Sequence, residues 1–177
     1  MAKELGGSWH MSANRKLVTL RDVQDEDCRL LWKWRNDPNA RKASFSPQAI
    51  DWKEHVKWFK SKLNDPKCIM YIAMTKDGQS IGGVRYELEN GDAVISVAID
   101  QPFRAMGYGS KILRLASQKL FTAAIVKRVH AYVKEGNITS LAVFAKAGFK
   151  NMGMTTYRGH EAIHLILDRN ELDWKAT

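Results

Sequence analysis

Arg104, Gly107, Gly109 and Ser110 fall within one short stretch, QPFRAMGYGSKIL, spanning Gln101 to Leu113. The apolar run AVISVAI leads into it and an amphipathic segment leads out, so the order is strand, glycine turn, helix. A helix N-terminus presents unpaired N–H groups and the positive end of the helix dipole, which together suit phosphate. Gly107 and Gly109 keep side chains out of the approach, and glycine permits the positive φ of an N–H nest. Ser110 adds a hydroxyl donor, while Arg104 and Lys111 raise the local potential. From Gln101 to Lys134 there are seven basic residues and no acid. The chemistry implied is the binding of an anionic, phosphate-bearing ligand. The spacing Arg-x-x-Gly-x-Gly is neither a P-loop nor a G-x-G-x-x-G dinucleotide fingerprint.

The elements that must position this turn are legible from periodicity. Residues 16–23 alternate apolar and polar, predicting a strand, and Asp25 is expected to cap a helix through CRLLWKWRND that stops at Pro38. DWKEHVKWFKSKL predicts a second helix with Trp52, His55, Val56, Phe59 and Leu63 on one face. CIMYIAMT, SIGGVRYELE and GDAVISVAI read as sheet strands, the first two joined through Asp77-Gly78. A helix over SKILRLASQKLFTAA follows the glycine turn, and RVHAYV is a further strand. TSLAVFAKAGF is expected to be a short helix capped by Thr139 or Ser140 and stopped by Gly148. A hairpin over MTTYRGHEAIHLILD, turning near Arg158-Gly159, closes the chain.

With 177 residues, 45% hydrophobic, and no repeat or linker, one mixed α/β domain is expected over residues 15–177. Residues 1–14 read as a flexible lead-in or an expression scar. No apolar run reaches the roughly 20 residues that span a bilayer, and no secretory signal is visible, so no membrane partner is expected. Cys28 and Cys68 stand far apart without His or Cys neighbours at ligand spacing, so neither a disulfide nor a metal is expected, and a cytoplasmic location follows. The net charge of +9 suggests anionic partners. Because the basic residues gather at the glycine turn rather than along one face, nucleic acid is not expected.

Arg104-x-x-Gly107-x-Gly109 between strand and helix resembles the acetyl-CoA pyrophosphate loop of the GCN5-related N-acetyltransferase (GNAT) family. EGNITSLAVFAKAGFK resembles that family's second hallmark, an asparagine after a strand followed by a short helix ending in Gly-Phe. The resemblance covers about residues 16 to 168 and implies a mostly antiparallel mixed sheet with a splayed strand pair and flanking helices. It implies acetyl-CoA as acyl donor, with pantetheine lying in the splay. Backbone groups of Val97, Ala98 and Ile99 would then bind pantetheine, and an N–H there would polarise the thioester carbonyl. N–H groups from Met106, Gly107, Tyr108, Gly109 and Ser110 would hold the pyrophosphate, near Arg104. Asn137 would bond the pantetheine, with Phe144 and Lys146 lining the cofactor.

The acceptor is a small-molecule amine by the same resemblance. WRNDPN followed by WKEH is similar to the sugar-nucleotide N-acetyltransferases of pseudaminic acid biosynthesis, which acetylate the 4-amino group of a UDP-4-amino-4,6-dideoxy-hexose. Arg35 and His55 would face the nucleotide sugar, with Arg85 a further diphosphate partner. A protein N-terminus is the rival acceptor, and a silent acyl-CoA sensor the non-enzymatic alternative. The family's usual tyrosine acid is replaced by Phe144, leaving Tyr108, Tyr132 and Tyr157 as unranked candidates. The base stays open between His55, whose imidazole titrates near neutrality but whose position suits a core residue, and Glu87 acting through water. The oligomeric state is not legible, with a homodimer kept open.

Overall fold

Strict alternation along two strands fixes which side chains meet the core and which face the other way. In the computed structural model, which describes residues 17–172, β3 (Ser80–Glu89) sends Val84 and Tyr86 into one core, and β5 (Arg128–Val133) adds Val129, Ala131 and Val133. Arg85, Glu87, His130 and Tyr132 therefore point to the opposite face. The other strands are β1 (Val18–Asp22), β2 (Cys68–Thr75), β4 (Asp92–Ile99), β6 (Lys150–Tyr157) and β7 (His160–Asp168). They form one sheet in the order β1-β2-β3-β4-β5-β7-β6, antiparallel except for the parallel pair β4–β5.

Helix α4 (Tyr108–Ala123) covers the first face through Ile112, Leu113, Ala116 and Leu120, together with α5 (Ile138–Lys146). Helices α1 (Cys28–Asn36) and α3 (Trp52–Leu63) cover part of the second, where Trp34 and Phe59 meet Met70 and Ile72. Between them lies the short α2 (Pro38–Ala43).

The parallel pair is the feature that makes a site. Only Ala93↔Val129 and Val94↔His130 pair, after which β4 and β5 part. The sheet thus opens as a V, with the glycine turn at its wide end, as the splayed mixed α/β fold requires.

Several local expectations are corrected. Asp25 is not a helix cap: it opens a single 3-10 turn, and Asp27 beyond it accepts from the Gln24 N–H at 2.8 Å. Pro38 does end α1 but also opens α2, because Asp37 caps that helix by accepting from Ala40 N. Asn137, not Thr139 or Ser140, caps α5, accepting from the Ser140 N–H at 3.1 Å. Helix α4 starts at Tyr108, two residues before the expected Ser110, and the last hairpin starts at Lys150 rather than Met154. Gly148 stops α5 at φ +100°, as expected. The lead-in expected over residues 1–14 lies outside the described residues.

Candidate active site

The glycine turn is built by two left-handed residues. Ala105 (φ +58°) and Gly107 (φ +81°) turn the backbone so that the N–H groups entering α4 lie at the wide end of the V. A left-handed alanine costs about 1–2 kcal/mol, so the surrounding structure must impose it. Arg104 does much of this: its Nε donates to Ile99 O (2.9 Å) and its Nη2 to Asp37 Oδ1 (2.8 Å), tying the turn to β4 and to the α2 cap. Its Nη1 is buried with no hydrogen-bond partner among the described residues. The two glycines differ in purpose. A Cβ on Gly107 would meet nothing, so its need is the positive φ, whereas a Cβ on Gly109 would lie 2.9 Å from Val143 Cγ1 of α5. The close approach of α5 at Val143 is by itself reason for glycine at position 109.

Along the V, Val97, Ala98 and Ile99 pair with Val84, Gly83 and Gly82 of β3 and have no partner strand on the β5 side. A Cβ on Gly82 would stand 2.3 Å from Ala98 O, so β3 can approach β4 there only as glycine. Across the gap, Asn137 spends its side-chain oxygen capping α5. Phe144 is buried edge-on to Phe149, with ring centroids 5.0 Å apart. Tyr108 and Ser110 are buried, while Met106 and Lys146 are exposed.

The second face carries an arginine cluster. Arg35 on α1 donates from Nη2 to Ser46 O (2.5 Å), while its Nη1 is buried without a partner among the described residues. Burial, then Arg85 and Arg41, push this guanidinium's pKa down. Arg41 Nε and Arg85 Nε are likewise buried without a hydrogen bond. Arg85 lies 5.1 Å over the Trp58 ring. Glu87 is engaged by Lys62 (3.3 Å), Arg158 (3.5 Å) and, more distantly, Arg85 (3.8 Å). Arg158 stands at the β6–β7 tip, so the side chain of that tip reaches Glu87 of β3. Tyr157 then stacks on Tyr132 at 4.0 Å and meets Phe45 edge-on at 5.5 Å.

His55 is 1% exposed among Trp52, Trp58 and Phe59. Its Nε2–H donates to Cys28 O (2.9 Å), leaving Nδ1 a bare, buried nitrogen. Burial lowers its pKa and Arg35 lowers it further, against the lift from the Cys28 carbonyl, so the ring is neutral. The geometry makes His55 a packed core histidine with no accessible lone pair. Among the described residues no group of His, Cys, Asp or Glu is arranged to hold a metal.

The acetyltransferase (GNAT) domain profile matches residues 18–150, most of the chain. This chain belongs to the GNAT family. It carries an acetyltransferase (GNAT) domain, and its sheet opens between β4 and β5. Uncharacterized protein MJ1062 of Methanocaldococcus jannaschii is 28% identical over 149 residues, or 81% of this chain, which spans 29% of that relative's length. The aminoglycoside acetyltransferase AAC(6')-Ib in complex with coenzyme A superposes with a TM-score of 0.77 at 20% identity, covering 88% of this chain and 96% of the other. A spermidine N-acetyltransferase from Vibrio cholerae, in complex with CoA and spermine, gives 0.78 at 16% identity, covering 88% and 97%. No helix among the described residues is long and apolar enough to cross a membrane.

Sequence reasoning brought out the glycine turn, Arg35 and Arg85. It missed Arg41 and Gly82. Arg41 gave no signal, because its helix was not expected. Gly82 did, since a Gly-Gly pair inside a strand marks a close backbone approach.

Proposed function

We propose that this GNAT domain transfers acetyl directly from acetyl-CoA to an anionic amine acceptor in a ternary complex, the acceptor being the 4-amino group of a UDP-4-amino-4,6-dideoxy-hexose. One observation carries the acceptor class: Arg35, Arg41 and Arg85 share the second face with buried, unbonded guanidinium nitrogens. Clustered cations with unspent donors suit a diphosphate, which accepts bidentate bonds from arginine. A polyamine or aminoglycoside cation would want carboxylates there. Glu87, on the same face, already faces Lys62, Arg158 and, at 3.8 Å, Arg85 Nε of the cluster itself.

On the donor side, N–H groups of residues 106–110 hold the pyrophosphate at the head of α4, and the unpaired edge of β4 at Val97–Ile99 receives the pantetheine. A β4 N–H bonds the thioester oxygen as negative charge builds on it. Asn137, Phe144 and Lys146 border the cofactor from α5.

Calorimetry with UDP tests the nucleotide reading. Wild-type protein is expected to bind UDP, and Arg35→Ala and Arg85→Met to weaken it by about 10-fold or more, the worth of one charge-assisted hydrogen bond. Absence of UDP binding, with acetyl-CoA binding intact, would sink the sugar-nucleotide acceptor and leave the donor site standing.

A further inference from the structure

Three strands bring together a group that the sequence reading did not single out. His130 Nε2 lies 3.1 Å from Asp92 Oδ2, and His130 Nδ1 lies 2.8 Å from His164 Nε2. His130 is the last β5 residue paired to β4, so this chain of groups crosses the apex of the V. We propose that the His130–His164 pair, anchored on Asp92, is the proton acceptor of acetyl transfer. This rests on the donor half of the reading above and not on the choice of acceptor. With the phosphates at the wide end of the V, the pantetheine arm runs down β4 and directs its thioester toward the apex.

Tautomers follow from the anchor. An ionised Asp92 only accepts, so His130 Nε2 carries the hydrogen and His130 Nδ1 a lone pair. His164 Nε2 must then donate to it, which leaves His164 Nδ1 as the basic nitrogen of the pair. The Asp92 carboxyl is held below the usual carboxylate range: burial opposes this, but His130 and Arg128, whose Nη2 is 3.0 Å away, outweigh it. His164 is held below the usual imidazole range by burial and by His130, so at neutral pH it is free to accept. The other groups facing the pair are Tyr132, stacked 4.9 Å from His164, Tyr157 beyond it, and Glu89, which acts on Tyr132 from β3.

The step balances within the complex. The amine nitrogen attacks the thioester carbon, the C–N bond forms, and the C–S electron pair leaves on sulfur. The amine proton passes to His164 Nδ1, and the His164 Nε2 proton can move to His130 Nδ1, setting the positive charge beside Asp92. The pair later returns one proton to the thiolate, giving CoA thiol and the resting tautomers. One proton fits the pair; a second is opposed by the 2.8 Å contact.

The test is imidazole NMR of ¹⁵N-histidine-labelled full-length protein, titrated over about pH 5 to 9 with and without acetyl-CoA, beside calorimetry of acetyl-CoA binding. We expect both histidines protonated on Nε2, a joint titration, and movement of the pair's signals on adding acetyl-CoA. Asp92→Asn should release the tautomers of both rings. In CoA-thiol release with whichever amine the wild-type protein turns over, among a UDP-4-amino-4,6-dideoxy-hexose, an N-terminal peptide and spermidine, His164→Ala should lower kcat by about 100-fold with the acetyl-CoA KM unchanged, and added imidazole should restore part of it. His164→Gln, which keeps a hydrogen-bonding side chain, should lose kcat equally while keeping the wild-type Tm. Independent titration of the two rings, or acetyl-CoA binding that leaves both untouched, would overturn the proposal. So would His164 variants with the wild-type pH profile. If calorimetry finds no acetyl-CoA binding, the donor reading itself fails.

Discussion

A guanidinium buried beside two others is costly, because each charge disfavours the next and the unbonded N–H groups lose water. Arg35 bears that cost with Arg41 and Arg85, which is why the cluster reads as prepared for an anion. Removing the charge while keeping the stem should expose the trade: Arg35→Met is expected to raise Tm while increasing the KM for the sugar nucleotide about 10- to 100-fold. A Tm that falls instead would mark Arg35 as structural. Asp27 makes the opposite case. Burial alone would raise its pKa, but the Arg21 fork (2.6 and 2.7 Å) and the Gln24 N–H hold it below the usual carboxylate range. A depressed carboxylate contributes stability that is present above its unfolded pKa, about 3.9, and is lost as pH falls through the lower folded value. Asp27→Asn should therefore destabilise the protein at pH 7 and flatten the acid limb of its stability profile, read by denaturant melts across pH.

At the scale of elements, glycines set the spacing of β3 from β4 and of α4 from α5, the elements on one side of the V and at its wide end. Gly82→Ala pushes a Cβ against Ala98 O, and Gly109→Ala pushes one against Val143. Each is expected to cost about 1–3 kcal/mol, read as a lower denaturation midpoint. Gly82→Ala should also weaken acetyl-CoA binding by moving the strand edge that receives it, and Val143→Ala should relieve Gly109→Ala but not Gly82→Ala. These contacts also mark how far the sequence could be read. The strand, glycine turn and helix around Gly107 were legible because their signals are local, and so were the Gly148 stop and the Asp77-Gly78 turn. The packing need at Gly109 was not legible, because its neighbour Val143 comes from a helix later in the chain. Pro38 read as a stop because a residue before proline avoids the helical region, yet the same proline at the first helical position suits α2. His130 and His164 meet only through the β5–β7 register, which no local pattern encodes. His55, singled out for its chemistry, packs among rings that its own helical stripe already predicted.

The molecule as a whole combines a formal charge of +9 with an arginine cluster whose buried guanidinium nitrogens make no hydrogen bond among the described residues. An anionic acceptor should then be steered into the site, and its kcat/KM should fall several-fold as salt rises from about 0.01 to 0.15 M, where the Debye length drops from roughly 30 to 8 Å. A neutral amine should show little of this dependence. The tip of the β6–β7 hairpin lies on the same face, with Tyr157 seated on Tyr132 and Arg158 reaching Glu87. The most direct test of the account is acceptor-dependent release of CoA thiol from acetyl-CoA, with a UDP-4-amino-4,6-dideoxy-hexose, an N-terminal peptide and spermidine offered in parallel. Turnover is expected with the sugar nucleotide and little with the other two. Turnover confined to spermidine or to the peptide would contradict it, and would mean that the arginine cluster does not read the acceptor's charge.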